Sequence, residues 1–561
     1  MIVTTENAAD FIASVQASPL VAIDTETNFT ETNHTRFLVG ISFCTVDEET
    51  WYIPVGHTSP MSLFPAENLE DWRDYFFKAL KWVKETVFHN AKFDLTVLEN
   101  AGGGNDFGFI WDTMIMSHLI DEYPPHALKL LGKNLLGMEE APELQKQIKG
   151  LSKQVGWEGI HPAAMAQYAE QDALLTMRLF KYLKPLLLEE GLKEVYETDI
   201  RFMEFLRQIE QTGVLLDREV ALHRSQAASL RMDSIRHEIG FEPSRSRLLV
   251  DKLYGEPPLG LGLKPSSFTP SGAIQVNEAV LAGINHPLAG LVLEYRGLLK
   301  AKSTWYDGFA EKADDQGRLH PNFKQHGTLT GRLSCENPNL QQIPREGSRV
   351  KDLFLADPQH ELWEFDFSQI ELRLAACYAK ELDLLEAFKN GADIHQAVAD
   401  ALGISRYAAK TINFATLYGA GVGKLASQLG ISTLAAGDYL QNYRATYPRL
   451  YAVAQQCAQV ATQKGYVEYW DGHRRHFKYP SETHKAFNSV LQGGAFQIVK
   501  RAGLNLWSFS YRVVNQVHDS YWINLPTPVQ PRHIDDVCAI MSSWTEEMFE
   551  LEFTVDAKRL S

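Results

Sequence analysis

A chain of 561 residues is long enough for several domains, and 45% hydrophobic residues suit a globular protein with sizeable cores. The first residues, MIVTTENAAD, carry neither the cationic nor the apolar stretch of a secretory signal. No run of about 18 apolar residues offers a membrane span, and five scattered cysteines (Cys44, Cys335, Cys377, Cys457, Cys538) lack the pairing of a zinc site or disulfide framework, so they read as free thiols of a reducing cytoplasm. The net charge of −16 argues against nucleic acid as a partner until its distribution is read: residues 401–500 hold 11 Lys/Arg and 4 Asp/Glu, a balance of +7 against −23 elsewhere. Local field governs binding more than total charge does.

VAIDTET (21–27) reads as a short apolar strand ending in Asp24 and Glu26. VFHNAKFDLTVL (87–98) puts Asp94 at the start of an apolar helix, with Asn90 one turn before it, and YAEQDALLTMRLF (168–180) puts Tyr168 and Asp172 one helical turn apart. Four carboxylates and a phenol on separate elements can bind two metal ions and orient a water, a constellation for phosphodiester hydrolysis. The segment 191–217 is predicted helical from its 3.6-residue apolar period, with Gly213 as a stop, the Pro/Gly-rich 255–272 as irregular, and 294–309 as helix.

WEFDFSQIELRLAACYA carries Asp366 and Glu371, and VVNQVHDSYWINL carries His518 and Asp519; both read as strands with an acid at one end. An acid in an apolar run is costly unless it is paired or binds a cation, and two from separate strands can clamp metal ions about 3.5–4 Å apart. Between them RYAAKTINFATLYG (406–419) spaces Arg406, Lys410, Phe414 and Tyr418 at intervals of four, one helix face carrying two cations and then two aromatics, suited to a triphosphate, sugar and base. Alone, this reads as an ordinary amphipathic helix; the flanking acids decide otherwise. Arg474 and Arg475 in GHRRHF (472–477) read as phosphate contacts, against the alternative of an exposed basic turn.

Five segments in order, TGRLSCENPNLQQIP (330–344), DFSQIELR (366–373), R-x₃-K-x₃-F-x₃-YG (406–419), HKAFNSVLQGGAFQIVK (484–500) and QVHD (516–519), resemble the family A DNA polymerases of the DNA polymerase I type. The N-terminal acids resemble their 3′→5′ proofreading exonuclease with a tyrosine in its set. The resemblance implies an α/β multidomain fold. An RNase H-like exonuclease domain (1–185) precedes a right-hand polymerase with linking helix and thumb (186–320), palm (321–385 and 500–561) and fingers (386–499). With the first exonuclease acid at position 24, it also implies a compact, phage-like form without a 5′ nuclease.

Implied roles follow. Asp366 and Asp519 hold two Mg²⁺ ions, for which Mn²⁺ can substitute, with a second pair at Asp24, Glu26, Asp94 and Asp172. Arg406 and Lys410 meet the triphosphate, and Lys410 protonates pyrophosphate. Phe414 packs on the sugar, Tyr418 lies at the base pair and His518 beside the primer terminus. Glu371 crowds the 2′ position and so selects DNA synthesis. Arg332, Asn488 and Gln492 read the minor-groove side of primer and template. Ala415 and Ser520 depart from the family's Gly and Glu, the former expected to narrow the template path and the latter to remove a carboxylate near the metals. Implied partners are primer–template DNA and dNTPs, acting as a monomer in the cytoplasm, at the nucleoid or a phage replication site; replication accessory proteins stay open. The alternative is a DNA exonuclease whose polymerase part only positions DNA; intact Asp366, Lys410 and Asp519 speak against it.

Overall fold

The computed structural model describes residues 1–28, 37–58, 72–104, 106–138, 142–344, 349–417 and 419–561. Two compact units divide the chain. The first comprises Met1–Thr212, Phe323–Cys335 and Trp363–Arg559; the second comprises Gly213–Asn322, Glu336–Leu362 and Leu560–Ser561.

The N-terminal part of the first unit is built on strands β1 (Leu20–Asn28), β2 (Phe37–Thr45), β3 (Thr50–Pro54), β4 (Glu85–Phe88) and β5 (Phe109–Asp112), in the order β3-β2-β1-β4-β5. β2 lies antiparallel to β1 and β3, whereas β4 is parallel to β1 and β5. Every residue of β2 after Phe37 is buried, as expected of a strand covered on both faces. Gly40 is required within it, because a Cβ there would fall 1.9 Å from Tyr52 Oη. The helix Pro162–Glu189 packs across β1, β2 and β3, its start fixed by His161, which accepts from Ala163 N, and by Pro162 in the first turn. The helix Lys193–Thr212 buries Val195, Tyr196, Phe202, Met203, Leu206 and Ile209, from the apolar period read from sequence, and Phe205 besides. It stops at Gly213, φ +61°, and does not run to 217; Val214–Leu216 instead forms a strand of the second unit, paired with Phe354–Leu355 and Arg318–Leu319.

Further along the first unit, the strands Arg512–Val517, Ser520–Pro526, His360–Phe367 and Val555–Arg559 make a four-stranded sheet in that spatial order. The helix Ala486–Ser508 is buried along most of its length, and the helices Ile394–Leu402, Arg406–Leu417, Val422–Leu429, Thr433–Thr446 and Pro448–Lys464 follow the sheet's first acid in sequence.

Two buried ionic clusters tie the paired strands Tyr466–Glu468 and Arg474–His476 to earlier segments of the same unit. Asp199 is ion-paired with Lys500 and lies 3.2 Å from His473 Nε2, while His473 Nδ1 is 2.7 Å from Asp471. Burial works against the Asp199 charge, but Lys500 and His473 outweigh it and hold the carboxyl well below the usual range. Glu122 takes Arg475 Nη1 at 2.6 Å, His476 N at 2.7 Å and His476 Nδ1 at 2.8 Å.

In the second unit the helix Arg218–Ile239 is capped by Asp217, which accepts from Val220 N, and packs against Pro287–Lys300. The stretch expected to return as one helix over 294–309 does so in three phases: α-helix to Lys300, a π-turn over Ala301–Tyr306, then α-helix Asp307–Lys312. Residues 255–272 are irregular, as read, with one isolated bridge from Phe268 to Ile274.

Candidate active sites

Asp24 and Glu26 stand two apart on β1, so the strand's period places both on one face. Asp172 arrives from the buried face of Pro162–Glu189, and one carboxylate oxygen from each of the three lies within 4.8 Å of the others. Asp94, in the first turn of the helix Ala91–Asn100, is 2% exposed and accepts from Thr25 N at 3.0 Å and Thr25 Oγ1 at 2.6 Å. It is thereby fastened to the residue between Asp24 and Glu26. Burial, then repulsion from Asp94 and Asp172, raises the Asp24 carboxyl well above its ordinary range. Burial and Asp172 push Glu26 up to about 8. Burial lifts Asp94 to about 7 against the hydrogen bonds from Thr25. Buried acids so arranged need protons or cations among them. Tyr168 lies one turn before Asp172, and its phenol is pushed up to about 12, chiefly by burial, so it stays protonated.

Two residues absent from the sequence reading complete this site. Asp112, 2% exposed, accepts from Asn90 N at 3.0 Å and Ala91 N at 2.7 Å, fixing the left-handed turn at Asn90 (φ +71°) from which the Asp94 helix starts. The signal was an Asp at a strand end just before a helix, a capping pattern; it also accepts from Met114 N. Lys129, on the helix Leu128–Leu136, places Nζ 2.9 Å from Tyr168 Oη and 3.2 Å from Asp172 Oδ1.

The second site gathers around the four-stranded sheet. Asp366 is the penultimate residue of His360–Phe367; Asp519 occupies, with His518 (φ +54°), the turn between Arg512–Val517 and Ser520–Pro526. Phe367 N donates to Asp519 O at 3.2 Å, which sets the two acids on neighbouring strand ends. Glu371, 7% exposed in the helix Ile370–Ala379, is ion-paired with Arg332, whose Nη2 also lies 3.8 Å from Asp519 Oδ1. Arg373, missed from sequence, anchors this helix through Ser368 O, Glu552 O and Thr554 Oγ1 at 2.8–3.0 Å.

On the helix Arg406–Leu417, Lys410 is exposed and Arg406 Nε pairs with Asp393 at 2.7 Å in an exposed setting. Phe414 is half-buried, its ring 5.9 Å from His395, a residue the sequence reading did not name. Tyr418 lies outside the described residues. Asn488 and Gln492 are half-buried one turn apart on Ala486–Ser508, and Asn488 Oδ1 is buried with no hydrogen-bond partner among the described residues.

Four residues stand in surroundings that their sequence reading did not foresee. Arg475 is 5% exposed, bound to Glu122 and stacked 4.9 Å from the Tyr123 ring, so it is no exposed basic turn and its charge is answered within the protein. Arg474, 12% exposed in its side chain, is committed to Glu190 and Glu468. Ala415, 5% exposed, packs its methyl into the apolar core. Ser520, which stands where the family has Glu, is buried with Oγ 2.8 Å from Val517 O and 3.3 Å from Glu364 Oε1. Glu364 lies two residues before Asp366 and so faces the same side of the strand.

Residues 245–559 match the family described as DNA polymerase family A, and residues 1–188 match the 3'-5' exonuclease that accompanies it. DNA polymerase I of Chloroflexus aurantiacus is 31% identical over 92% of this chain and 58% of its own length. The corresponding enzyme of Pseudomonas aeruginosa is 30% identical over 94% and 61%, so the chain spans less than two thirds of these relatives. The DNA polymerase of Mycobacterium phage L5 is 28% identical, over 90% of this chain and 87% of the phage protein. In fold, the chain matches the POL domain of Pol1 from M. smegmatis, solved with DNA primer-template and dNTP, with a TM-score of 0.82, 20% identity, and coverage of 100% and 98%. With more than half its length matched by the polymerase family and the N-terminal third by the exonuclease, the chain belongs to DNA polymerase family A and carries a 3'-5' exonuclease domain.

Proposed function

We propose that the chain extends a primer 3′-OH on a DNA template with dNTPs and removes mispaired termini by 3′→5′ hydrolysis. The observation that carries this reading is the pairing of two separate acid sets within a family A chain: Asp24, Glu26 and Asp172 converging on one point, and Asp366 and Asp519 on adjoining strand ends. We divide the chain into exonuclease (1–185), linking helix and thumb (186–320), palm (321–385 and 500–561) and fingers (386–499).

Both acid sets offer hard oxygen ligands of the kind that suit Mg²⁺, and the raised carboxyls of Asp24, Glu26 and Asp94 fit a site whose acids ionise when a cation replaces their protons. Asp24, Glu26, Asp94 and Asp172 would hold the ions of hydrolysis, and Asp366 and Asp519 those of synthesis. Bound divalent ions would act as Lewis acids on the phosphoryl oxygens and the attacking oxygen.

Tyr168, neutral at physiological pH, donates its phenol hydrogen at the hydrolytic site. Lys410 and Arg406 receive the triphosphate; the exposed Arg406–Asp393 pair is worth at most about 1 kcal/mol and yields readily to a phosphate. Phe414 packs against the incoming sugar, and His518, exposed at its turn, meets the primer end. Glu371 is held by Arg332 where it rejects a 2′-hydroxyl; Arg332, Asn488 and Gln492 test the shape of the new pair. The Asn488 oxygen, without a partner among the described residues, is the kind of buried group that DNA would satisfy.

The test is extension of a labelled primer on a longer template, with Mg²⁺, with and without dNTPs. Growth with dNTPs and shortening without them is the expected result. Shortening in both lanes would reject the synthetic half and leave a nuclease.

A further inference from the structure

We propose that Lys129 is a positioning residue of the exonuclease site: its ammonium group fixes the Tyr168 phenol oxygen so that the phenol hydrogen turns toward the substrate, and its charge occupies the acid cluster in competition with a divalent cation. This rests on the hydrolytic reading of Asp24, Glu26 and Asp172.

The fold delivers Lys129 to this place through a close helix contact. Gly132, one turn after Lys129, abuts Leu175, one turn after Asp172; a Cβ at Gly132 would fall 2.6 Å from Leu175 Cδ1. With no side chain there, the helix Leu128–Leu136 approaches Pro162–Glu189 closely enough for Lys129 to lie over the Tyr168–Asp172 turn. Nζ is 2.9 Å from Tyr168 Oη, 3.2 Å from Asp172 Oδ1 and 4.1 Å from the centre of the Tyr168 ring.

An ammonium group has three donors and no acceptor. Tyr168 Oη therefore accepts from Lys129, and its own hydrogen points away from Lys129. The contact over the ring face adds a cation–π attraction that holds the ammonium in this pose. The same ammonium forms an ion pair with Asp172, one of the three acids that converge, at 3.2 Å, so a cation entering the cluster meets a like charge. Lys129 therefore has two effects of opposite sign. It favours the reaction through Tyr168, and it weakens cation binding by repulsion.

A lysine that only braces the fold would have effects of one sign. The experiment uses the full chain. Digestion of a labelled single strand is followed in single turnover at saturating Mg²⁺ for Lys129→Met, Lys129→Arg, Tyr168→Phe and the Met/Phe double variant. Binding of Mn²⁺ alone is measured by calorimetry in a background with Asp366→Asn and Asp519→Asn, so that heat reports the exonuclease acids. Lys129→Met is expected to slow digestion about 10–100-fold while binding Mn²⁺ more tightly. Arg should restore part of the rate, and the double variant should be no slower than Tyr168→Phe. An unchanged rate, multiplying losses in the double variant, or weaker Mn²⁺ binding alongside slower digestion would each overturn the proposal. An Asp24→Ala variant run in parallel separates the failures: if it still digests, the hydrolytic reading falls, whatever Lys129 does.

Discussion

The two acid sets of this chain solve one problem in opposite ways. At the exonuclease site, Asp24, Glu26, Asp94 and Asp172 come from three elements of one sheet-and-helix body, the last three under 9% exposed, and Thr25 and Asp112 lock the geometry from behind. Their charges are crowded, and protons or cations must resolve the crowding. At the polymerase site Asp366 and Asp519 are half-buried on strand ends, with Arg332 bridging toward Glu371, while Lys410 and Arg406 stand exposed on a separate helix. In the proposed reading, the first is a preassembled hydrolytic pocket, and the second is a set of parts whose nucleotide-facing members are free to change partners, as a site that must select among substrates requires.

Removing acids tests the comparison most strongly. Asp366→Ala should abolish primer extension and spare digestion, and Asp24→Ala with Glu26→Ala should do the reverse. Each is expected to cost about 4 kcal/mol or more of transition-state stabilisation, on the order of 10³-fold. Gel assays of both activities on both variants read this directly, and loss of both activities in either variant would mean that the sites are not separate.

A second large effect concerns what joins the exonuclease stretch to the later segments of its unit. Asp199→Leu leaves Lys500 buried without its carboxylate and His473 with Asp471 alone, and should cost about 3–5 kcal/mol, whereas Asp199→Leu with Lys500→Met should cost less than the single change. Thermal unfolding checks the order. The same cluster sets a pH window. Burial opposes the His473 charge, but Asp471 and Asp199 outweigh it, so its pKa is raised and its contribution is lost as pH rises through that raised value. The lowered Asp199 carboxyl contributes above its ordinary range and loses that contribution as pH falls through its folded value. Stability should therefore fall as pH rises through the raised His473 value, and Asp199→Asn should flatten that limb.

Glu371→Ala sharpens the polymerase side. It should raise ribonucleotide incorporation relative to deoxyribonucleotide by on the order of 10²-fold, with digestion unchanged, measured as the ratio of kcat/KM for the two sugars. An unaltered ratio would assign Glu371 only to holding Arg332.

Local patterns were legible in the sequence. The four-residue spacing of Arg406, Lys410 and Phe414 is a helix, and the D-x-E pair lies on one strand face with Asp172 opposite. What failed was partnership over distance. Arg474 and Arg475 look like a solvated basic turn because their acids, Glu190 and Glu122, lie hundreds of residues earlier. Lys129 sits in an amphipathic run, ALKLLGKNLL, where a cation ordinarily meets water, and only the gap at Gly132 brings it to Tyr168. The helix end at Thr212 was signalled by Gly213, but the strand that follows takes its partners from 318–319 and 354–355.

The smallest expected effect bears on those arginines. Removing one phosphate-binding cation from a DNA-binding protein makes log affinity against log salt shallower by about 0.9 on duplex. Arg474→Gln breaks pairs with Glu190 and Glu468, both acids half-exposed, so it should change stability by no more than about 1 kcal/mol. Because its charge is already answered within the protein, the salt slope for primer–template should stay as it is. Lys410→Gln, measured with dNTP bound, should instead weaken nucleotide binding without moving the slope for DNA alone. A shallower slope with Arg474→Gln would return this arginine to the DNA and require its pairs with Glu190 and Glu468 to open on binding.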